Sequence, residues 1–363
     1  MHLGSLAITD FRIIGSAHLE LDPEGTTVVT GNNGVGKTSI LEAVAYLARL
    51  QSFRGSPKEA LIRQGSTQAI LRAETEVEGR LVSIEAEINT SGPSRTLVNR
   101  QRVRRRIDLH DALRVTVFSP EDIGVVRSGP SERRHFLDEQ LSVVEPRSFR
   151  CAEDVEKILR QRAALLRSAG RTLSADAAVT LEVWDARLDE QGTQLVVARE
   201  ELVQRLLPLV TTHYERLAGV ITDVGMTYVR SWDGALGEAL LGARTQDLAR
   251  GVTTVGPHRD ELDLTLSGMP ARTHASQGEQ RSLALALQLA AHELATTTVG
   301  TAPVLLLDDV FSELDPHRAS ALLAGLPPGQ ALLTTALPPP PEVQAARVYE
   351  VVAGGQITPA SIA

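Results

Sequence analysis

The spacing of apolar residues changes period along this chain, and each change marks a different kind of element. Over roughly the first ninety residues apolar and polar positions alternate, as half-buried strands require. Residues 6–8 and 17–21 read this way, as do 69–75 and 82–88, which Glu78-Gly79 joins as a hairpin. Thr27-Val28-Val29-Thr30 is a buried strand instead, and residues 39–45 after it have helical spacing without a breaker. Leu97-Val98-Asn99 and Val103 predict a further hairpin whose turn carries arginines, and residues 115–118 a buried strand. From about 131 to 218 the period becomes helical. Pro146 opens one helix that Gly170 stops after Ala169. Ser174 caps a second, in which Leu181, Trp184, Leu188, Leu195, Leu202 and Leu206 recur at threes, fours and sevens. Helices of about 24 and 40 residues would measure about 36 and 60 Å. After Gly251 strands return at 261–266, followed by a helix from 278 to about 296, a wholly apolar strand at 303–307, a helix from Pro316 and a strand at 331–334. Pro338 to Pro341 reads as a loop. The order predicts an α/β fold of mixed β-sheets with helices, interrupted by an inserted, mainly helical lobe. The expected division is a core lobe of residues 1–118 and 299–363 and a second lobe of 119–298, helical over about 131–218.

Bulk composition narrows the classes. The chain has 363 residues, 42% of them hydrophobic, which suffices for one large domain or two lobes. A single cysteine, Cys151, cannot form an internal disulfide. Met1-His2-Leu3-Gly4-Ser5 has neither a basic nor an apolar leader pattern, and no run of ~18 apolar residues occurs. The expectation is a soluble protein of the reducing cytoplasm. The net charge of −8 argues against indiscriminate coating of nucleic acid. Local charge differs: between Arg95 and Arg114 seven arginines face only Asp108 and Asp111, and Arg127, Arg133 and Arg134 form a second cluster. Each cluster is either a solvated face or a surface that tracks phosphates.

One stretch has nameable chemistry. Gly31-Asn32-Asn33-Gly34-Val35-Gly36-Lys37-Thr38 is a complete G-x-x-x-x-G-K-[ST] loop, set between a strand and a helix as that motif requires. Its glycines let successive N–H groups turn toward phosphate oxygens, and the helix N-terminus adds partial positive charge. Lys37 is expected on the β- and γ-phosphates and the Thr38 hydroxyl on Mg²⁺. The chain has three lysines against 34 arginines, so a basic residue placed here by chance would be arginine. A mere glycine-rich turn is the competing interpretation. Further on, the strand 304–307 ends in Asp308-Asp309. Such pairs also cap ordinary loops, but behind an intact phosphate loop Asp308 is expected to hold Mg²⁺ through water, and Asp309 to accept a proton from the attacking water.

Ser276-Gln277-Gly278-Glu279-Gln280 resembles the signature segment of ATP-binding-cassette ATPases, and Ser312 to Asp315 resembles their D-loop. The resemblance implies an ATPase head of that type, with ATP and Mg²⁺ as ligands. It also implies that residues 276–280 and Asp315 complete the nucleotide site of a partner copy, with Ser276 and the following helix N-terminus offered to a γ-phosphate. Ser276 as a simple helix cap is the plainer alternative. Residues 120–138, Gly256-Pro257-His258-Arg259-Asp260 and the run from Leu306 to Leu323 narrow the likeness to the RecF family, bacterial recombination-mediator ATPases related to SMC heads. That resemblance implies an ATP-driven homodimeric clamp on DNA, acting at gapped and single-strand–double-strand junctions with RecO and RecR to help load RecA, with slow DNA-dependent hydrolysis. Cassette ATPases usually carry Glu where this chain has Asp309. Thr334-Thr335 stands where transporters have a switch histidine, and no metal-sensing Gln is evident near Ser119-Pro120-Glu121.

Two other functions fit parts of the pattern. A transporter subunit would have its signature much nearer the phosphate loop than the about 240 residues found here. An SMC-like tether needs far longer helices than those predicted. A small-molecule kinase needs neither signature nor D-loop. For DNA contact, the nominated residues are Arg102, Arg104, Arg105 and Arg106.

Overall fold

The structure, a computed structural model, describes residues 1–103, 106–170, 172–326 and 328–360; the side chains of residues 106, 107 and 313 are outside the description. The chain begins with β1 (His2–Phe11), β2 (Ile14–Glu20), β3 (Thr26–Thr30), α1 (Lys37–Arg49) and α2 (Lys58–Leu61). Next come β4 (Gln68–Val77), β5 (Arg80–Asn89), β6 (Arg95–Val98), β7 (Gln101–Arg102) and β8 (Val115–Phe118). A mainly helical stretch follows: α3 (Gly124–Arg127), α4 (Pro130–Val144), α5 (Pro146–Ala169), α6 (Ala175–Ala218), β9 (Val224–Val229) and α7 (Leu236–Arg250). The last part runs β10 (Glu261–Leu266), β11 (Met269–Pro270), α8 (Ala271–His274), α9 (Gln277–Val299), β12 (Val304–Asp308), α10 (Pro316–Gly325), β13 (Ala331–Thr335), β14 (Ala345–Val352) and β15 (Gln356–Ala360).

Two compact units result. The first comprises Met1–Asp122, Arg216–Gly219 and Leu285–Ala363, and the second Ile123–Glu215 and Val220–Ala284. The division differs from the expected one mainly at residues 285–298. Those α9 residues carry the helix's dense Leu and Ala face, buried in the first unit, where the His292 ring meets the Thr116 hydroxyl at 2.9 Å.

In the first unit an antiparallel sheet has the order β2-β1-β4-β5-β6-β7 and a mixed sheet the order β15-β14-β3-β13-β12-β8. Strands β14, β3, β13, β12 and β8 are mutually parallel, and β8, β12 and β13 are buried at every residue. Burial on both faces is why their sequences are apolar runs without alternation. Helix α1 packs against β1, β4 and β5 of one sheet and β8, β12 and β13 of the other, and is therefore apolar almost all round. The Glu78-Gly79 hairpin forms as expected, with both residues at positive φ between paired Val77 and Arg80.

Several details depart from the sequence-based expectation. The turn of the β6–β7 hairpin is Asn99-Arg100, both at positive φ, so Arg102 lies in a strand and not in the turn. Strands β9, β14 and β15 and helix α7 were not anticipated. The last two strands are largely exposed and weakly patterned, and their place is set by pairing, of β14 with β3 and of β15 with β14, rather than by their own composition.

The second unit contains a three-stranded sheet of order β11-β10-β9 and the long helices. Pro146 sits in the first turn of α5, and the Gly170 N–H closes that helix on Leu166. Ser174 Oγ accepts from the Ala177 N–H at 3.2 Å, the expected cap of α6. Between α5, α6 and α7 lies a buried ion cluster. Arg162, wholly buried, donates to Asp185 (2.7 Å), Asp247 (2.6 Å) and Thr253 (2.9 Å), and Arg244 also meets Asp185 (2.9 Å). Nearby, burial pushes the His258 imidazole down to about 4, so the ring is neutral against the Thr253 carbonyl. Removing one partner of a buried pair strands the others. Arg162→Met is therefore expected to lower the unfolding free energy by about 3–5 kcal/mol in a denaturant titration, leaving two buried aspartates without their shared cation.

Candidate nucleotide site

The phosphate loop bridges the C-terminal end of β3 and the first turn of α1. Gly31, Gly34 and Gly36 have φ of 147°, 80° and 109°, a region that side chains avoid. A Cβ on Gly31 would collide with the Val351 carbonyl of β14, and one on Gly36 with the Ile13 side chain, whereas Gly34 faces open space. No acidic residue occupies the first turn of α1, so its N-terminal dipole is uncompensated from within the helix. Lys37 is buried, and its Nζ donates to the carbonyls of Gly31 (2.8 Å) and Asn32 (3.0 Å). Asn33, Gly34, Gly36, Lys37 and Thr38 line a cavity of about 840 Å³ together with Asp309, and Asn32 and Val35 complete the loop. That size suits a nucleotide.

Across the sheet, Thr38 Oγ1 donates to Asp308 Oδ1 at 2.9 Å, joining residues 270 positions apart. Thr334 Oγ1 donates to the same oxygen at 2.7 Å. Burial raises the Asp308 carboxyl above the usual carboxylate range, and the hydroxyls of Thr334 and Thr38 oppose that rise. Asp309, one residue on, has left-handed backbone (φ 48°, ψ 28°), and its N–H donates to the Thr334 carbonyl and hydroxyl, each at 3.1 Å. A non-glycine residue there is strained, which is common where function dictates the conformation. The Asp309 Oδ1 atom is buried without a hydrogen-bond partner. An unpaired carboxylate oxygen beside Lys37 and Thr38 fits a site built for a water and a phosphate group.

The donor set also suits Mg²⁺. One hydroxyl and one carboxylate are hard oxygen ligands, and the ion ordinarily takes its remaining positions from water and phosphate. Among the described residues no cluster of three or more His, Cys, Asp or Glu able to hold a metal occurs.

Sequence reasoning missed the flanking wall. The β1–β2 turn places Arg12 and Ile13 in the cavity lining, and Arg54, Arg63 and Gln64 also contribute. Arg12 is fixed by a bidentate pair with Glu42 of α1 (2.7 and 2.6 Å), by Ala60 and by Ser56. Ser52 donates a hydrogen bond to the same Glu42, which is almost fully buried. Thr334 was missed too; the threonine at that strand end was visible, but only its pairing shows that it holds both aspartates.

The remaining expected residues are not among those that line this cavity. Ser276 to Gln280 belong to the second unit. Ser276 and Glu279 form a reciprocal capping box at the start of α9, with Ser276 N–H to Glu279 (2.7 Å) and Glu279 N–H to Ser276 Oγ (3.3 Å). Gln277 is exposed and Gly278 half-buried, while the Gln280 side chain is buried and bonded to its own chain. Asp315, in the first unit, caps α10. The Arg318 N–H (2.9 Å) and guanidinium (2.6 Å) hold its carboxyl below the usual range. Arg102 is exposed on β7, opposite Leu97, while Arg104, Arg105 and the side chain of Arg106 lie outside the described residues.

The two loop glycines separate backbone strain from crowding. Gly34→Ala is expected to weaken ATP binding by about tenfold, from left-handed strain alone. Gly36→Ala, which adds the clash with Ile13, should weaken it by well over that, as read by nucleotide titration calorimetry.

Comparison with known proteins concerns the chain as a whole. The profile of the family described as "RecF/RecN/SMC N terminal domain" matches residues 2–331. The "DNA replication and repair protein RecF" of Frankia alni is 40% identical over 99% of this chain and all of that protein. Its counterpart in Streptomyces avermitilis is 40% identical over 93% of both chains. Among solved structures, one of "the recombination mediator protein RecF-ATP in RecFOR pathway" superposes with a TM-score of 0.90 at 27% identity, covering 99% of this chain and 98% of the other. An Smc head bound to the C-winged helix domain of ScpA, at 15% identity and a TM-score of 0.57 over 100% and 98% of the two chains, shares the fold. The chain belongs to the RecF family, within the wider group of RecF, RecN and SMC N-terminal domains.

Proposed function

We propose that this protein is an ATP-dependent DNA-binding factor of recombinational repair and replication maintenance, acting in the cytoplasm as a nucleotide-switched homodimeric clamp. The observation that carries the proposal is that Thr38, hydrogen-bonded to Asp308, lines one cavity with Lys37 and with Asp309, whose Oδ1 atom has no hydrogen-bond partner. The loop N–H groups and Lys37 bind and orient the triphosphate. Thr38 and Asp308 would hold Mg²⁺, whose charge would neutralise phosphate oxygens. Asp309 takes the proton of the attacking water. Its carboxylate is one methylene shorter than the glutamate usual in cassette ATPases, so turnover is slow and suits a timer. The exposed Ser276 at the start of α9, with Gln277, Gly278 and Glu279, meets the nucleotide of a second copy, and Asp315 lies at that contact. Hydrolysis then releases the clamp. Family membership supports action with RecO and RecR at gapped DNA to help load RecA.

Sedimentation velocity with and without ATP and DNA tests this directly. The wild-type protein is expected to dimerise with ATP. Lys37→Arg is expected to lose ATP affinity or hydrolysis. Ser276→Arg should keep ATP binding and lose ATP-dependent dimerisation. A Ser276→Arg protein that still dimerises would refute the sandwich.

The arginines in and after β7 supply the second test. Replacing Arg102, Arg104, Arg105 and Arg106 with alanine is expected to lower DNA affinity and flatten its salt dependence, with ATP-only dimerisation retained. Unchanged affinity would return the cluster to a solvated hairpin.

A further inference from the structure

In the second unit the signature segment is closed into a loop by one buried side chain. Gln280 Nε2 donates to the carbonyls of Ala271 (3.1 Å) and Arg272 (3.0 Å), so the chain returns on itself around Ser276. Its Oε1 accepts from Arg127 Nε at 2.6 Å. Both donors and the acceptor of the amide are thus engaged within the protein, which leaves little for a nucleotide. Arg127 closes α3 and is exposed, with its Nε on Gln280. Its backbone is held from the other side. Arg133 donates to the flanking carbonyls of Val125 (3.2 Å) and Ser128 (2.8 Å), while Glu261 of β10 anchors Arg133 at 2.7 and 2.8 Å.

The placement has an electrostatic cost. Arg127 reaches the first turn of α9, where the helix dipole disfavours a cation. A hydrogen bond from a charged donor to a buried amide offsets this. The arrangement makes sense if the fixed geometry of the segment matters.

We infer that Arg127 and Gln280 form a latch that positions the signature, and that Gln280 is a positioning residue rather than a nucleotide contact. The inference rests on the proposed meeting of one copy's signature with another's nucleotide. Such a contact needs Ser276 and the first N–H groups of α9 held within a fraction of an ångström, which a loosened loop would not provide. Neither Arg127 nor Gln280 is among the residues that line the cavity at the phosphate loop of the same chain.

The test uses the full-length protein in three variants. Arg127→Met removes the donor and the charge at similar length. Arg127→Lys keeps both. Gln280→Met opens the loop from the other side. Arg127→Met is expected to bind ATP within twofold of wild type but to dimerise with ATP about tenfold or more weakly, with Arg127→Lys within threefold of wild type. The Arg127→Met/Gln280→Met double variant should dimerise no worse than the weaker single variant, since both break one device. Hydrogen exchange of amides 273–280 in the ATP-free monomer should accelerate about tenfold in Arg127→Met. Unchanged exchange, unchanged dimerisation of Arg127→Met, or losses that multiply in the double variant would each overturn the latch. If Gln280→Met does not fold, the two Arg127 variants still decide it. A wild type that stays monomeric with ATP would refute the sandwich alone, because the exchange measurement still reads the latch.

Discussion

A carboxylate buried at the end of a parallel strand must be met by donors or by a cation. Asp308 finds hydroxyls from Thr38 on α1 and Thr334 on β13, and these contacts tie together parts of the chain that are remote in sequence. Much of the first unit is arranged around that requirement. The strand order β14-β3-β13-β12-β8 brings the C-terminal ends of five parallel strands to one edge, where the phosphate loop, both aspartates and Thr334 converge. In open α/β sheets that edge is where ligands bind, since helix N-termini and strand ends both point there.

The same requirement accounts for the strain at Asp309. Its left-handed backbone is stabilised by two hydrogen bonds from its N–H to Thr334, so one threonine fixes the carboxylate proposed for Mg²⁺ and orients the next. The cavity wall follows a similar economy. Glu42, buried on α1, holds Arg12 and thereby the β1–β2 turn against the phosphate loop. Among the described residues of this unit, the Asp309 Oδ1 atom is the buried side-chain polar atom left without a hydrogen-bond partner.

The second unit uses buried charge differently. Arg162, Arg199 and Arg133 each engage a carboxylate while also donating to hydroxyl or carbonyl oxygens. Such clusters give little net stability over an apolar core but punish alternative arrangements severely. That property suits a unit whose proposed task is to present a short segment in one conformation.

Elements with strong local signals were legible before the structure was known: the phosphate loop, the apolar strand ending in Asp308-Asp309, the Glu78-Gly79 turn, the Pro146, Gly170 and Ser174 boundaries. Each depends on backbone conformation or on a nearest-neighbour pattern, which a sequence carries explicitly. Thr334, Glu42 and Arg127 gave no comparable signal, because their roles arise from partners 26, 30 and 153 positions away. Strands β14 and β15 were invisible for the same reason, being weakly patterned and held by pairing, β14 with β3 and β15 with β14. Gln280 shows the distinction most sharply. Its motif placed it beside a nucleotide, yet its side chain is drawn inward to two carbonyls and a guanidinium. Local chemistry is written residue by residue, whereas the direction of a side chain is chosen by the neighbours that folding supplies.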